Sequence, residues 1–303
     1  GILVVDKPAG PTSHDVVAVA RRALACRKVG HLGTLDPLAT GVLPLVVGRA
    51  TRLASLYSGA GKQYDAVVRL GLITDTGDVG GDVVGGRDAA DPAAPGPAPT
   101  AAAVEEAAAG FVGSYLQRPP AVSAKKIAGV RAYDLARRQR PAEPAPVRVT
   151  VDALTVLSID GARVRCRIAC SSGFYVRALA RDLGEALGCG ACLEALRRER
   201  HGRFTLDGAV PLACLVEEGA ATAARLIALD DLLPELPGVV VNDRGARRAA
   251  HGNPLAPPDL EPARGGTPAA AGARVRVLGA GGRLLAIAEP VPGGALHPKI
   301  VLV

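Results

Sequence analysis

"VRVTVDALTVLSIDGARVRCRIACSSGFYVRALARDLGEALG", residues 147–188, changes its periodicity part-way along. From 147 to 159, and again from 163 to 170, apolar and polar positions alternate as in strands with one buried face. Cys166, Ile168 and Cys170 share one face of the second strand, and Arg165, Arg167 and Ala169 share the other. After Gly173 the spacing becomes helical, with Val176, Leu179, Leu183 and Leu187 forming one stripe. Consecutive strands followed by a helix, without regular βαβ alternation, predict an α+β fold with a mixed, largely antiparallel sheet and flanking helices.

The same logic extends upstream. "GILVVDKP" at the start reads as a short buried strand closing in a Lys-Pro turn, and Ser13 as the N-cap of an amphipathic helix to about Cys26. Residues 42–47, "VLPLVV", form an apolar run of strand length, and "RATRLASLY" after it reads as a helix. From Lys62 the period is two, with Tyr64, Ala66, Val68 and Leu70 on one face. Residues 80–100 are rich in Gly and Pro and read as a mobile loop, ending at Thr100, an N-cap for a helix to about Ala109. A second, small, all-β unit is expected from near Leu236, with a short Arg-rich helix candidate at 244–250 and a hairpin around "GAGG" at 279–282.

A chain of 303 residues that is 49% hydrophobic can bury a sizeable core and has room for about two domains. Its net charge of +7 favours a polyanionic partner. No apolar run reaches the roughly 18 residues that span a bilayer, and the opening residues lack the pattern of a signal peptide, so a cytoplasmic location is expected. Six cysteines are too sparse for a disulfide scaffold. Cys166, Cys170, Cys189 and Cys192 have short spacings that could suit zinc ligands, but the strand alternation reads the first two as core.

"GTLDPLATG", residues 33–41, places one carboxylate, Asp36, between a glycine turn and a proline. Such a backbone is restricted, so the chain itself holds the side chain in place. By itself the residue reads either as a turn aspartate or as a covalent nucleophile. No second acidic residue lies near it in sequence and no metal-spaced set accompanies it, so paired-carboxylate and metal-assisted hydrolysis both lack parts.

"KPAGPTSHDVV", "VGHLGTLDPLATGVLPLVVGRATRL", "KQYDAVVRLG", "RPPAVSAKKIAGVRAYDLARR", "CSSGFYVRALARDLGEALG" and "LEALRRERHGRF" follow one another in an order and spacing that resembles the TruB family of tRNA pseudouridine synthases. The resemblance covers about residues 1–233 and implies a pseudouridine-synthase-like catalytic domain with a tRNA-gripping insertion near 114–141. Residues 234–303 resemble, more weakly, the PUA-like RNA-binding domain that often ends these enzymes. The resemblance implies isomerisation of uridine 55 in the tRNA T-loop, with base flipping and Asp36 as nucleophile, at C1′ of the ribose or at C6 of uracil. Arg177 falls on the arginine that pairs with that aspartate, and Tyr64 on the tyrosine that stacks on the base and handles a proton. Tyr175 matches a second active-site tyrosine, Leu196 an apolar residue under the base, and His31 a histidine that fills the space left by the flipped nucleotide. Lys7 and Pro8 match a supporting motif.

Lys125, Lys126 and Arg131, with Arg137, Arg138 and Arg140, lie in the segment that resembles the T-arm grip, and Arg197, Arg198, Arg200 and Arg203 form another basic cluster. The chain departs from the family pattern at Val122, Phe174 and Cys192, where Tyr, Thr and His are common. No cofactor or metal is implied, because the bond broken and the bond made belong to one nucleotide. The expected partner is tRNA, through its T-arm, with no membrane and no obligatory protein partner, and the expected state is a monomer. Two alternatives remain: an RNA-binding or tRNA-folding chaperone on the same scaffold, and a guide-RNA-dependent relative.

Overall fold

The computed structural model describes residues 1–87, 99–120, 126–127, 130–131, 144–261 and 273–303. Strands β10 (Val147–Asp160) and β11 (Arg163–Cys170) form the expected antiparallel hairpin, turning at Gly161 with φ 54°. β11 pairs antiparallel with β4 (Lys62–Leu70), placing Ile168 opposite Tyr64. On its other edge β4 pairs antiparallel with β12 (Ala191–His201), placing Arg198 opposite Tyr64. β12 in turn runs parallel to β3 (Thr40–Val47), which is antiparallel to β1 (Ile2–Lys7).

β14 (Val210–Pro211) closes one edge beside β1, and β7 (Gly113–Gln117) closes the other beside β10. With β2 (Val29–His31) on β3 and β13 (Phe204–Thr205) on β12, the result is a ten-stranded mixed sheet. Helices α1 (Ser13–Ala23), α2 (Ala101–Ala109) and α3 (Val176–Ala186) contribute Val16, Val104 and Leu179 to the same core as Tyr64, Val68, Cys166 and Ile168. The two strand cysteines thus pack as small hydrophobes. Each large aliphatic side chain so buried contributes about 1.5–3 kcal/mol. Gly41, at φ +99°, lets β3 approach β12, because a Cβ there would lie 2.2 Å from the Arg198 carbonyl oxygen.

Several elements differ from expectation. Thr12, not Ser13, caps α1 through a capping box with Asp15. The Ser13 hydroxyl turns inward instead, donating to the Leu35 carbonyl at 3.0 Å and accepting from the Leu35 amide at 2.8 Å. The helix expected after β3 is a 3₁₀ segment, Gly48–Tyr57, in which the Thr51 hydroxyl bonds the carbonyl of Gly48, three residues back. Part of the Gly/Pro stretch is ordered, since β5 (Ile73–Thr74) pairs with β6 (Val83–Gly85). Residues 88–98 lie outside the described residues. Of the segment that follows β7, only the short pair β8 (Lys126–Ile127) and β9 (Val130–Arg131) is described between 121 and 143.

A short helix, α4 (Leu212–Glu217), follows β14. The C-terminal unit holds a separate sheet in the order β15 (Gly238–Val240), β16 (Val275–Leu278), β17 (Leu284–Val291), β18 (Ala295–Val301). β16 and β17 make the expected hairpin, and the short Arg-rich helix expected at 244–250 forms beside the sheet. Helix α5 (Asp243–Ala250), capped by Asn242, packs on it, and buried Asp259 receives Arg244 at 3.1 Å and Arg248 at 3.2 Å. Leu284, Ile287 and Leu302 join Ile2, Val4 and Leu53 in a second apolar cluster that ties this sheet to the large one.

Candidate active site

The loop between β2 and β3 carries Asp36, and two buried cations hold it on either side. Lys7 Nζ donates to the carbonyls of Ala39 at 2.7 Å, Pro8 at 2.8 Å and Pro37 at 3.3 Å. Burial pushes this amine down to about 8, while nearby Asp36 opposes the fall. Arg198, fully buried on β12, donates through Nε to Val42 O at 2.7 Å, through Nη2 to Gly33 O at 3.0 Å and through Nη1 to Thr34 O at 3.4 Å. Within the loop, the Ala39 amide bonds the Asp36 carbonyl at 3.0 Å, so the backbone around the carboxylate is closed into a turn.

Arg177, in the first turn of α3, donates from Nε to Asp36 Oδ2 at 2.9 Å and from Nη1 to Thr76 O at 2.7 Å. The guanidinium is only 6% exposed whereas the Asp36 side chain is 38% exposed, so the carboxylate faces outward from a cation set behind it. The same Nε lies 3.9 Å from Asp78 Oδ2. This corrects the expectation of an isolated carboxylate: the loop between β5 and β6 brings Asp78 and the Thr76 carbonyl to the arginine from a distant segment. That loop is itself fastened to β12, with the Leu193 amide donating to Gly77 O at 3.0 Å and the Val79 amide to Leu193 O at 2.9 Å.

Asp36 opens into a cavity of about 480 Å³ whose wall also includes His31, Tyr64, Tyr175, Arg177 and Leu196. Six of the nine residues expected to act on or bind substrate therefore meet in one place. The volume is that of an ordinary small-molecule site. His31 presents its ring edge-on to His14, with centroids 5.5 Å apart. Tyr64 is buried and lies opposite Arg198; burial pushes its phenol up and the guanidinium opposes this. Lys62 lines the same wall, its amine lowered mainly by burial. His201, packed behind Gly33, is pushed down to about 3 by burial, then by Arg198 and Lys62, so its imidazole is neutral.

The remaining expected residues divide. Lys7 lies behind the loop rather than on the cavity wall, and Pro8 is exposed, contributing its carbonyl to Lys7. The side chains of Lys125, Lys126, Arg131, Arg137, Arg138, Arg140 and Val122 lie outside the described residues. The basic cluster does not form one patch, because alternation along β12 sends Arg197 and Arg198 to opposite faces and Arg203 lies past the end of the strand. Arg197 pairs with Asp6 at 2.8 Å, Arg203 bonds Asp231 O at 3.3 Å, and Arg198 is buried at the cavity. Its spacing of two from Leu196 on a strand was the signal for this placement.

Gln117 was missed altogether. Its buried amide accepts from the Tyr175 amide at 2.9 Å and donates to the Tyr175 carbonyl at 3.1 Å, serving the start of α3 where no side chain caps the helix. Among the described residues no group of three or more His, Cys, Asp or Glu side chains is arranged to hold a metal.

Residues 21–176 match the family model described as TruB family pseudouridylate synthase (N terminal domain), and residues 177–236 match the tRNA pseudouridylate synthase B C-terminal domain. The chain is 43% identical over 308 residues to tRNA pseudouridine synthase B of Solibacter usitatus (strain Ellin6076), covering 100% of this chain and 99% of that protein. It is 42% identical to the protein of the same name from Dechloromonas aromatica (strain RCB), covering 99% and 94%. Among solved structures it resembles a chain of a Cbf5-Nop10-Gar1 complex, with TM-score 0.72 and 27% identity over 100% of this chain and 85% of that one. A chain from an H/ACA RNP bound to a substrate RNA containing 2′-deoxyuridine is similar at TM-score 0.70 and 26% identity, with the same coverage of both.

Proposed function

The chain belongs to the TruB family of pseudouridine synthases, and from that premise we propose that it flips uridine 55 of the tRNA T-loop into the cavity and isomerises it with Asp36 as nucleophile. It is an isomerase that converts uridine to pseudouridine in tRNA. The observation that carries the assignment of Asp36 is its 2.9 Å bond to buried Arg177 at the wall of the cavity. The arginine aims the carboxylate oxygens at C1′ of the ribose or C6 of the base. Flipping a nucleotide costs a few kcal/mol, which His31 offsets by filling the space the nucleotide vacates. Tyr64 stacks on the base, Leu196 supports its other side, Tyr175 completes the wall, and Lys7 with Pro8 holds the loop. After the base is rejoined through C5, the proton on that carbon leaves by way of Tyr64.

Lys125, Lys126 and Arg131 hold phosphates of the T-arm, and residues 234–303 form a PUA-like RNA-binding domain beside a catalytic domain of residues 1–233. The chain acts in the cytoplasm as a monomer on bare tRNA, without cofactor, guide RNA or protein partner. Identity of 43% to proteins named for tRNA, against 27% to a chain from a multi-protein complex, supports the unguided reading. No described helix is long and apolar enough to cross a membrane. The test is to incubate the purified chain with an unmodified tRNA transcript and map pseudouridine. One new pseudouridine in the T-loop is expected. A product elsewhere would keep the chemistry and overturn the substrate assignment, and no product would overturn the unguided reading.

A further inference from the structure

Arg198 is a fully buried cation that meets no carboxylate among the described residues. An ion so placed is costly unless hydrogen bonds satisfy it, and the carbonyls of Gly33, Thr34 and Val42 do so in part. A guanidinium has five N–H donors and no acceptor, so donors remain after those three bonds. Register supplies the partner: Arg198 and Tyr64 are directly opposed on β12 and β4, and both line the cavity. Because arginine can only donate, a bond between the two runs from the guanidinium to the phenolic oxygen, which would set one lone pair toward β12 and fix the ring's polar tip.

We propose that Arg198 is a positioning residue for Tyr64, holding the phenolic oxygen and stabilising its phenolate as the base that takes the C5 proton. This rests on the reading of Tyr64 as the group that handles that proton. Tyr64 reacts as phenolate, its own proton having gone to bulk water. The C5–H bond breaks and its electron pair forms the C5–C6 double bond of the uracil ring as the N1=C6 π pair moves to N1, which takes a proton from water, or, in the C6-attack route, as Asp36 leaves C6 with its bonding pair; the C5 proton goes to the phenolate oxygen, leaving neutral tyrosine. Burial opposes the phenolate and Arg198 favours it, so loss of the guanidinium makes the deprotonation slow while leaving Asp36 its own cation, Arg177. A brace for the Asp36 loop alone would instead slow the earlier attack.

The experiment compares single-turnover conversion of tRNA transcribed with ordinary or [5-²H]UTP, at saturating enzyme, for wild type, Arg198→Gln, Arg198→Lys and Tyr64→Phe, with tRNA binding measured in parallel. Arg198→Gln is expected to bind tRNA within a few-fold of wild type, to convert it at least about 100-fold more slowly, and to be slowed further by deuterium more than wild type is. Arg198→Lys, which keeps a cation and loses the fork, should show the same isotope sensitivity with a smaller loss of rate, and it carries the test if Arg198→Gln does not fold. Equal slowing of both isotopologues in folded Arg198 variants, while Tyr64→Phe is isotope-sensitive, overturns the role of Arg198 alone. A Tyr64→Phe enzyme with the wild-type rate overturns the reading of Tyr64 and this inference with it.

Discussion

Arg177 faces two carboxylates and a carbonyl at once, with Asp36 at 2.9 Å, Asp78 at 3.9 Å and Thr76 O at 2.7 Å. Only Asp36 also faces the cavity, so the arginine fixes the direction of one carboxylate from behind. Arg177→Met removes that direction and leaves two carboxylates beside each other; single-turnover conversion should fall by about 100-fold or more, the size of losing an electrostatic donor in an active site. Lys7→Met leaves the carbonyls of Ala39 and Pro8 without their donor, which should cost about 1–3 kcal/mol in denaturant unfolding and slow conversion by loosening the Asp36 loop. His201 supplies a pH dependence of known sign. It takes a proton near 6.5 when unfolded and near 3 when folded, so the unfolded state binds more protons between those values. Stability is therefore full above about pH 6.5 and falls as the pH drops toward 3, by at most about 1.4 kcal/mol per pH unit from this group. Urea unfolding at pH 7 and pH 4.5 should show a difference that shrinks in His201→Gln.

Elements were legible where a single period ran long enough to be unambiguous. β4, β10, β11 and α3 each present a clear stripe, and their packing brings Tyr64 and Arg177 to the wall of one cavity. The 3₁₀ segment Gly48–Tyr57 was not distinguishable from an α-helix, because periods of three and of 3.6 differ little over so short a run. Asp78 and Gln117 could not be read from periodicity, since each depends on a contact between distant segments: a loop docked on β12, and an edge strand beside α3. The basic residues of β12 were misread as one cluster because adjacency in a strand means opposite faces. Gln117→Leu tests one of these contacts between elements. It keeps the volume but takes the Gln117 acceptor from the Tyr175 amide, the Tyr175 carbonyl keeping its bond from the Leu179 amide, and conversion at saturating tRNA should fall while Asp36 and Arg177 are untouched.

At the scale of the whole molecule, a ten-stranded sheet and a four-stranded one share an apolar cluster, and the chain carries a net charge of +7. If the proposed lysines and arginines contact T-arm phosphates, log affinity for tRNA should fall linearly with log salt, by roughly 0.7–0.9 per neutralised phosphate, in a binding titration across salt concentrations. The central claim is narrower: one carboxylate, aimed by one buried arginine, does the chemistry in a cavity built for a flipped nucleotide. The direct measurement is pseudouridine formation by Asp36→Asn on an unmodified tRNA, alongside its tRNA affinity. The substitution nearly preserves volume and removes the proposed nucleophile, so no pseudouridine should form while affinity stays within a few-fold of wild type. Pseudouridine made by Asp36→Asn at the wild-type rate would contradict the account.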